Sequence, residues 1–262
     1  MKILALAFAA LTIAAVPASA APAQSGCPAT FLAGQPPLLT NAKLAAQARP
    51  LCFTAYAVLH SGITRTPLWS AEHLTRASVT SAVAMEGRSN RFHAEPRLPA
   101  SERAELADYV RSGFDRGHMA PSGDMPSRAA DVESFSLANM VPQARRLNQG
   151  SWAKLEGMVR DMALTSGEAY VVTGPLFEGQ TIASLKRRVL VPTSTWKAVY
   201  VPGQGAAAYI ASNQNKPVWT LVPVVELTRR AGLDPFPALD AATKARVATF
   251  PLPTAKRQRS RR

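Results

Sequence analysis

Strand-like and helix-like stretches are intermixed along this chain without the regular strand–helix alternation of a parallel sheet. That pattern limits the fold to the α+β class, with a mixed or antiparallel central sheet flanked by helices. Strands are read at CFTAYAVLHSG (52–62), TPLWSAEHLT (66–75), EAYVVTGPLF (168–177), RVLVPTSTWKAVYVPG (188–203) and AAAYIASNQN (206–215). Pro192 and Pro202 confine the fourth of these to strand ends or a sheet edge. The clearest helix covers residues 148–163, where Trp152, Leu155, Val159 and Met162 recur at three- and four-residue steps. A shorter helix is predicted over 101–113, with Ser101 as N-cap, Glu102 and Glu105 near its positive end, and Gly113 as its stop. A third lies in VPVVELTRRAGLDPFPAL (222–239) and ends at Gly232.

Residues 1–20 stand apart. Lys2, the apolar run 3–16 and the small-residue ending Ala18-Ser19-Ala20 have the three-part layout of a secretory signal cut after Ala20. The run is shorter than the ~20 residues a membrane span needs, so no membrane anchor is expected. The mature protein is read as exported, to the periplasm or beyond the cell. Its parts are an extended N-terminal segment over 21–51, one domain over 52–250 and a basic, disordered tail over 251–262. The full chain carries a formal charge of +13, and +12 without Lys2, which draws it toward polyanions. Its two cysteines, Cys27 and Cys52, suggest one disulfide in an oxidising compartment, with two separate buried thiols as the alternative.

Chemistry concentrates in two segments. Phe114-Asp115-Arg116-Gly117-His118-Met119-Ala120-Pro121 places a carboxylate, a guanidinium and an imidazole within four residues. On a strand, Arg116 and His118 would share one face, where a neutral imidazole beside a phosphate-binding guanidinium can take a proton from water. By spacing alone an ordinary loop with a partly buried histidine explains the segment equally well. The second segment runs from Asn139-Met140-Val141-Pro142-Gln143 through Leu147-Asn148-Gln149-Gly150-Ser151-Trp152 to Glu156 and Arg160. Asn148 offers a neutral oxygen to a largely hydrated magnesium ion. A plainer account makes Asn148 a helix N-cap and Glu156–Arg160 a solvent-facing ion pair.

Together, D-R-G-H-M-A-P, then N-x-x-P-Q about 20 residues on, then L-N-Q-G-x-W-x-x-L-E, resemble the DNA/RNA non-specific endonuclease family, which includes secreted bacterial nucleases and mitochondrial endonuclease G. TPLWSAEHLT is similar to that family's early strand, EAYVVTGPLF to its Gly-Pro strand, and VELTRRAGLDPFP to its late helix and turn. The resemblance thus spans residues 52–240. It implies a ββα-metal (His-metal finger) active site, with His118 as general base and Asn148 as the direct protein ligand of magnesium, manganese being able to substitute. It also implies Glu156 as the residue orienting metal-bound water, and Arg116, Asn139 and Arg160 as phosphate and scaffold contacts. An upstream arginine contacts phosphate in the family. Arg88 and Arg91 both qualify here, because the spacing to Glu95-Pro96 does not align without a gap, and Arg91 is preferred.

The implied reaction is hydrolysis of DNA and RNA, leaving 5′-phosphates, because no step uses a 2′-hydroxyl. Cationic surface that holds backbone gives little sequence preference. A homodimer and a dedicated inhibitor protein stay open as partners. One rival is a phosphodiesterase of lipid or nucleotide esters, which would gain nothing from polymer length. Another is an exported DNA-binding protein with a decayed site, against which His118, Asn148 and Glu156 all speak. Ser122 or Ser151 as nucleophile lacks the G-x-S-x-G elbow.

Overall fold

The structure, a computed structural model, describes residues 27–253. The expected signal segment and most of the basic tail lie outside the described residues. Among the described residues thirteen strands occur: β1 Leu38–Leu39, β2 Ala48–Cys52, β3 Tyr56–Ser61, β4 Thr66–Thr75, β5 Phe114–His118, β6 Met140–Ala144, β7 Glu168–Leu176, β8 Ser184–Leu185, β9 Val189–Leu190, β10 Ser194–Val201, β11 Gly205–Ser212, β12 Trp219–Val222 and β13 Leu233–Asp234. The helices are α1 Arg76–Ala84, α2 Leu106–Tyr109, α3 Arg128–Ser134, α4 Ala153–Ser166, α5 Val224–Ala231 and α6 Ala241–Ala245. Seven strands form one antiparallel sheet in the order β12-β11-β10-β7-β4-β3-β2, while β5 and β6 pair separately. The α+β expectation holds.

Strand alternation gives this sheet two different faces. Trp69, Ala71, Val172, Trp196, Ala198 and Ile210 pack on one side with α5 and the N-terminal segment. Leu74, Val171, Val199 and Tyr209 pack on the other against Leu155, Val159 and Ala163 of α4. Interleaved on that second face are the buried polar residues Ser70, Glu72, Thr173, Thr195 and Lys197.

The segment expected to be an extended lead-in is part of the domain. Its β2 forms the sheet edge, β1 pairs with β13, and Phe31 meets Trp69 edge to face at 5.9 Å. Its Ala- and Pro-rich composition hides these short strands, and the partner of β1 comes from far along the chain. The Cys27–Cys52 disulfide is present, with Cα atoms 5.8 Å apart. The prolines of the 188–203 stretch fall just outside β10, which is therefore central in the sheet and not an edge.

The helix predicted over 101–113 is corrected to the single turn of α2. Its N-cap is Glu105, whose backbone N–H donates to Asp108, and Ser101 does not begin a helix. Glu102 turns away to pair with Arg49, Val110 is extended, and Arg111 has a left-handed φ of 56°. These local contacts outcompete continued helix. The helix predicted over 148–163 begins instead as a π-helical turn, Leu147–Trp152, before α4.

Candidate active site

The β5–β6 pair and α4 form a ββα unit laid over the polar side of the sheet. Gly117 allows this pairing: a Cβ there would lie 2.2 Å from Oε1 of the buried Gln143 on β6. Polar groups of the sheet hold the unit in place. Lys197 Nζ donates to the Met119 carbonyl at 3.3 Å and to Thr173 Oγ1 at 2.7 Å. Gln143 donates to Thr195 at 3.4 Å, and Ser70 donates to Asn139 at 2.9 Å.

A cavity of about 570 Å³ opens over the unit, and Arg88, Asp115, Arg116, His118, Asn148 and Glu156 line it. His118 is 8 % exposed and packs edge to face on Phe135, with ring centroids 4.9 Å apart. Its Nε2 is buried and has no hydrogen-bond partner among the described residues. Burial, then the nearby Arg88 and Arg116 cations, hold the imidazole neutral and press its pKa down to about 3. Those guanidiniums are steered by aromatic rings. Arg116 lies over Phe92 at 3.9 Å and Arg88 over Phe135 at 5.0 Å. The other three histidines serve packing. His60 Nε2 meets the Glu102 carbonyl, His73 pairs with Glu168, and His93 meets the Arg91 carbonyl.

The π-helical turn aims Asn148 and Gln149 at Asp115, whose Oδ2 accepts from both at 2.9 and 2.8 Å. With its amide nitrogen so engaged, Asn148 has its carbonyl oxygen left to meet a cation. Asn148 is therefore no simple N-cap, since that position is Arg146. Glu156 sits at the cavity floor, where burial pushes its carboxyl up to about 7 while Lys197 opposes the rise. Arg160 pairs with the buried Asp124 at 2.6 Å, so the solvent-facing Glu156–Arg160 pair does not form.

Behind these lies Glu72, with both carboxylate oxygens buried and unpartnered among the described residues. Burial, then the Asp124 charge, pushes its pKa well up. Glu72, Asp124 and Glu156 share this region with the cations Lys197 and Arg160. Burial disfavours the charged form of all three carboxyls, and the nearby cations oppose it.

Three expected site residues stand outside the cavity lining: Arg160, held by Asp124, and Asn139 and Arg91. Asn139 is fully buried and saturated: its Oδ1 accepts from Ser70 and the Ala120 N–H, and its Nδ2 donates to the Ala120 and Ser134 carbonyls. It positions the chain after His118 and touches no substrate space. Arg91 is exposed and does not line the cavity, whereas Arg88 does, so the preference for Arg91 is corrected. The gap before Glu95-Pro96 hid this, and only the ring of Phe135, distant in sequence, reveals it. Ser122 donates to Asp131 at 2.7 Å, and Ser151 accepts from Trp219. Neither contacts His118. Asp115, Glu72, Asp124 and Lys197 escaped the sequence reading; Asp115 alone had a signal, its place in the D-R-G-H segment.

A ββα unit that presents a neutral histidine and hard oxygen donors, with Arg88 and Arg116 lining the same cavity, defines the ββα phosphodiester-hydrolase class of nucleases. The sequence profile of the DNA/RNA non-specific endonucleases matches residues 36–242, and this chain belongs to that family. It is 36% identical over 209 residues to Nuclease C1 of Cunninghamella echinulata var. echinulata, covering 72% of this chain and 83% of that one. With the mitochondrial EXOG nuclease of Danio rerio it shares 33% identity, covering 71% of this chain and 60% of the relative. The solved structure of the EndoG/EndoGI complex contains a chain similar to this one, with a TM-score of 0.67 and 27% identity, covering 76% of this chain and 89% of that one. No helix among the described residues is long and apolar enough to cross a membrane.

Proposed function

We propose that this protein is an exported, metal-dependent endonuclease that cleaves DNA and RNA with little sequence preference and leaves 5′-phosphates. The observation that carries the reading is a neutral His118 beside Arg88 and Arg116, in one cavity with Asn148 and Glu156. Export rests on the N-terminal segment and on the disulfide, a bond favoured outside the reducing cytoplasm.

The donor set fits a hard, mostly hydrated cation. Asn148 offers its free carbonyl oxygen, Asp115 orients that amide, and no group of three or more His, Cys, Asp or Glu side chains is placed to hold a metal among the described residues. Magnesium, with manganese able to replace it, would be held by Asn148 and would neutralise charge developing on the leaving oxygen.

The chain's own groups do the rest. Arg88 and Arg116 bind the scissile phosphate, and its negative charge offsets their effect on His118, raising the imidazole's basicity. With Nε2 shut off from solvent, Nδ1 is the nitrogen that takes the proton from the attacking water. Glu156 orients water as a carboxylate, and Asp124 holds Arg160 near it, behind the cavity lining. A dedicated inhibitor is a fitting partner class, given the EndoG/EndoGI complex.

The test is incubation of the mature protein with supercoiled plasmid and with RNA. Both should be degraded in magnesium or manganese, and EDTA should abolish cleavage. Undiminished cutting in excess chelator contradicts the metal requirement. Equal rates on dinucleotide and polymer would favour the small-ester phosphodiesterase.

A further inference from the structure

Eight of the eighteen arginines among the described residues pair with carboxylates, Arg49 with Glu102, Arg97 with Glu95, Arg188 with Asp108 and Arg230 with Glu178 among them. Arg145, Arg146 and Lys216 differ. All three are exposed, and no ion pair among the described residues engages them. Two stapled loops hold the backbone segments that carry them side by side. Asn213 Oδ1 accepts from the Ala144 N–H at 2.7 Å, and Asn215 Oδ1 accepts from the Arg146 N–H at 3.2 Å. Asn213 also donates to the Pro142 carbonyl at 2.9 Å. The nearby carboxylate, Asp115, is already occupied by Asn148 and Gln149.

The patch adjoins the cavity. Arg146 caps the π-helical turn that carries Asn148, and two Cα–Cα steps span at most about 8 Å. We propose that Arg145, Arg146 and Lys216 form a second phosphate-binding subsite, which grips the polynucleotide backbone beside the scissile phosphate. The proposal rests on the nuclease reading and adds a physical basis for preferring polymers over small esters. Three uncompensated cations on a fixed backbone engage phosphates by charge, without reading bases.

The test compares wild type with the Arg145→Ser/Arg146→Ser/Lys216→Ser variant in two assays. In EDTA, affinity for a 20-base-pair duplex is measured over a salt series. The slope of log K against log salt should fall in magnitude by about 2–3, at roughly 0.9 per phosphate contact. In magnesium, the ratio of plasmid to thymidine 5′-(4-nitrophenyl) phosphate efficiency should drop about tenfold or more. Arg145→Lys/Arg146→Lys should keep the wild-type slope, which separates charge from damage to the loop. A triple-variant slope within one of wild type overturns the subsite. Should wild type cleave neither plasmid nor ester, the nuclease reading fails, while the EDTA titration still decides the patch.

Discussion

On the side of the sheet covered by α5 and the N-terminal segment, Trp69, Val172, Trp196 and Ile210 meet other apolar groups. On the opposite side the intervening positions of those same strands hold Ser70, Glu72, Thr173, Thr195 and Lys197. The first face stabilises the fold by removing apolar area from water. The second gains little net stability from its hydrogen bonds and places groups accurately. Ser70 reaches Asn139, Thr195 meets Gln143, and Lys197 holds the carbonyl next to His118. One sheet thus combines a core and a polar template for the ββα unit, and substitutions on its two faces should fail in different ways.

The sharpest contrast is between neighbours on β10. Lys197→Met removes the grip on Met119 and leaves the buried carboxyls short of a cation. It should lower kcat on the order of 10–100-fold and cost about 3 kcal/mol of stability. Trp196→Phe, pointing the other way, should cost about 1–3 kcal/mol in denaturant titration and leave the turnover of folded enzyme unaltered. Equal loss of turnover from both would break the two-face account.

Replacing Cys27 and Cys52 together by Ser acts at the apolar face. Closing a loop of this length is worth about 3 kcal/mol, so the unfolding free energy from urea titration should fall by that amount with no change in turnover. A loss of turnover would mean that the N-terminal segment reaches the site.

A smaller effect concerns Glu156 in the metal-free protein. Its folded pKa of about 7 lies above the ordinary carboxylate value, so the folded state binds this proton more tightly than the unfolded chain does. That stabilisation is complete below about pH 4.3 and is lost as pH rises through 7. Glu156→Gln should therefore stabilise the protein at pH 8 by about 1–2 kcal/mol, after screening at a partly exposed site, and do little at pH 4. Stabilisation that grew toward acid pH would contradict the assignment.

These contrasts trace what the sequence revealed. His118, Arg116 and Asn148 were legible because the ββα unit draws them from short local segments with fixed chemistry. Strand β4 was legible to its ends despite Pro67, which sits near its start, beside the irregularity in its pairing with β3. Glu72, Asp124 and Lys197 were not, because strand pairing and a short turn bring them from separate parts of the chain. Within β4 the order Ser70-Ala71-Glu72-His73 reads as half solvent-facing, yet both sides are covered. Arg88 was lost for a similar reason: its anchor, the Phe135 ring, lies 47 residues away.

The central claim is that the His118 imidazole takes the proton of the attacking water and does not merely brace the cavity. His118→Gly opens room at the cavity wall, and plasmid cleavage should fall by a factor on the order of 10² or more while duplex affinity in EDTA stays near wild type. Added imidazole should then restore cleavage with saturation, in proportion to its neutral fraction as pH is varied. Near wild-type cleavage by His118→Gly without imidazole, or a rate indifferent to imidazole at every pH, would contradict the assignment of His118 as the base.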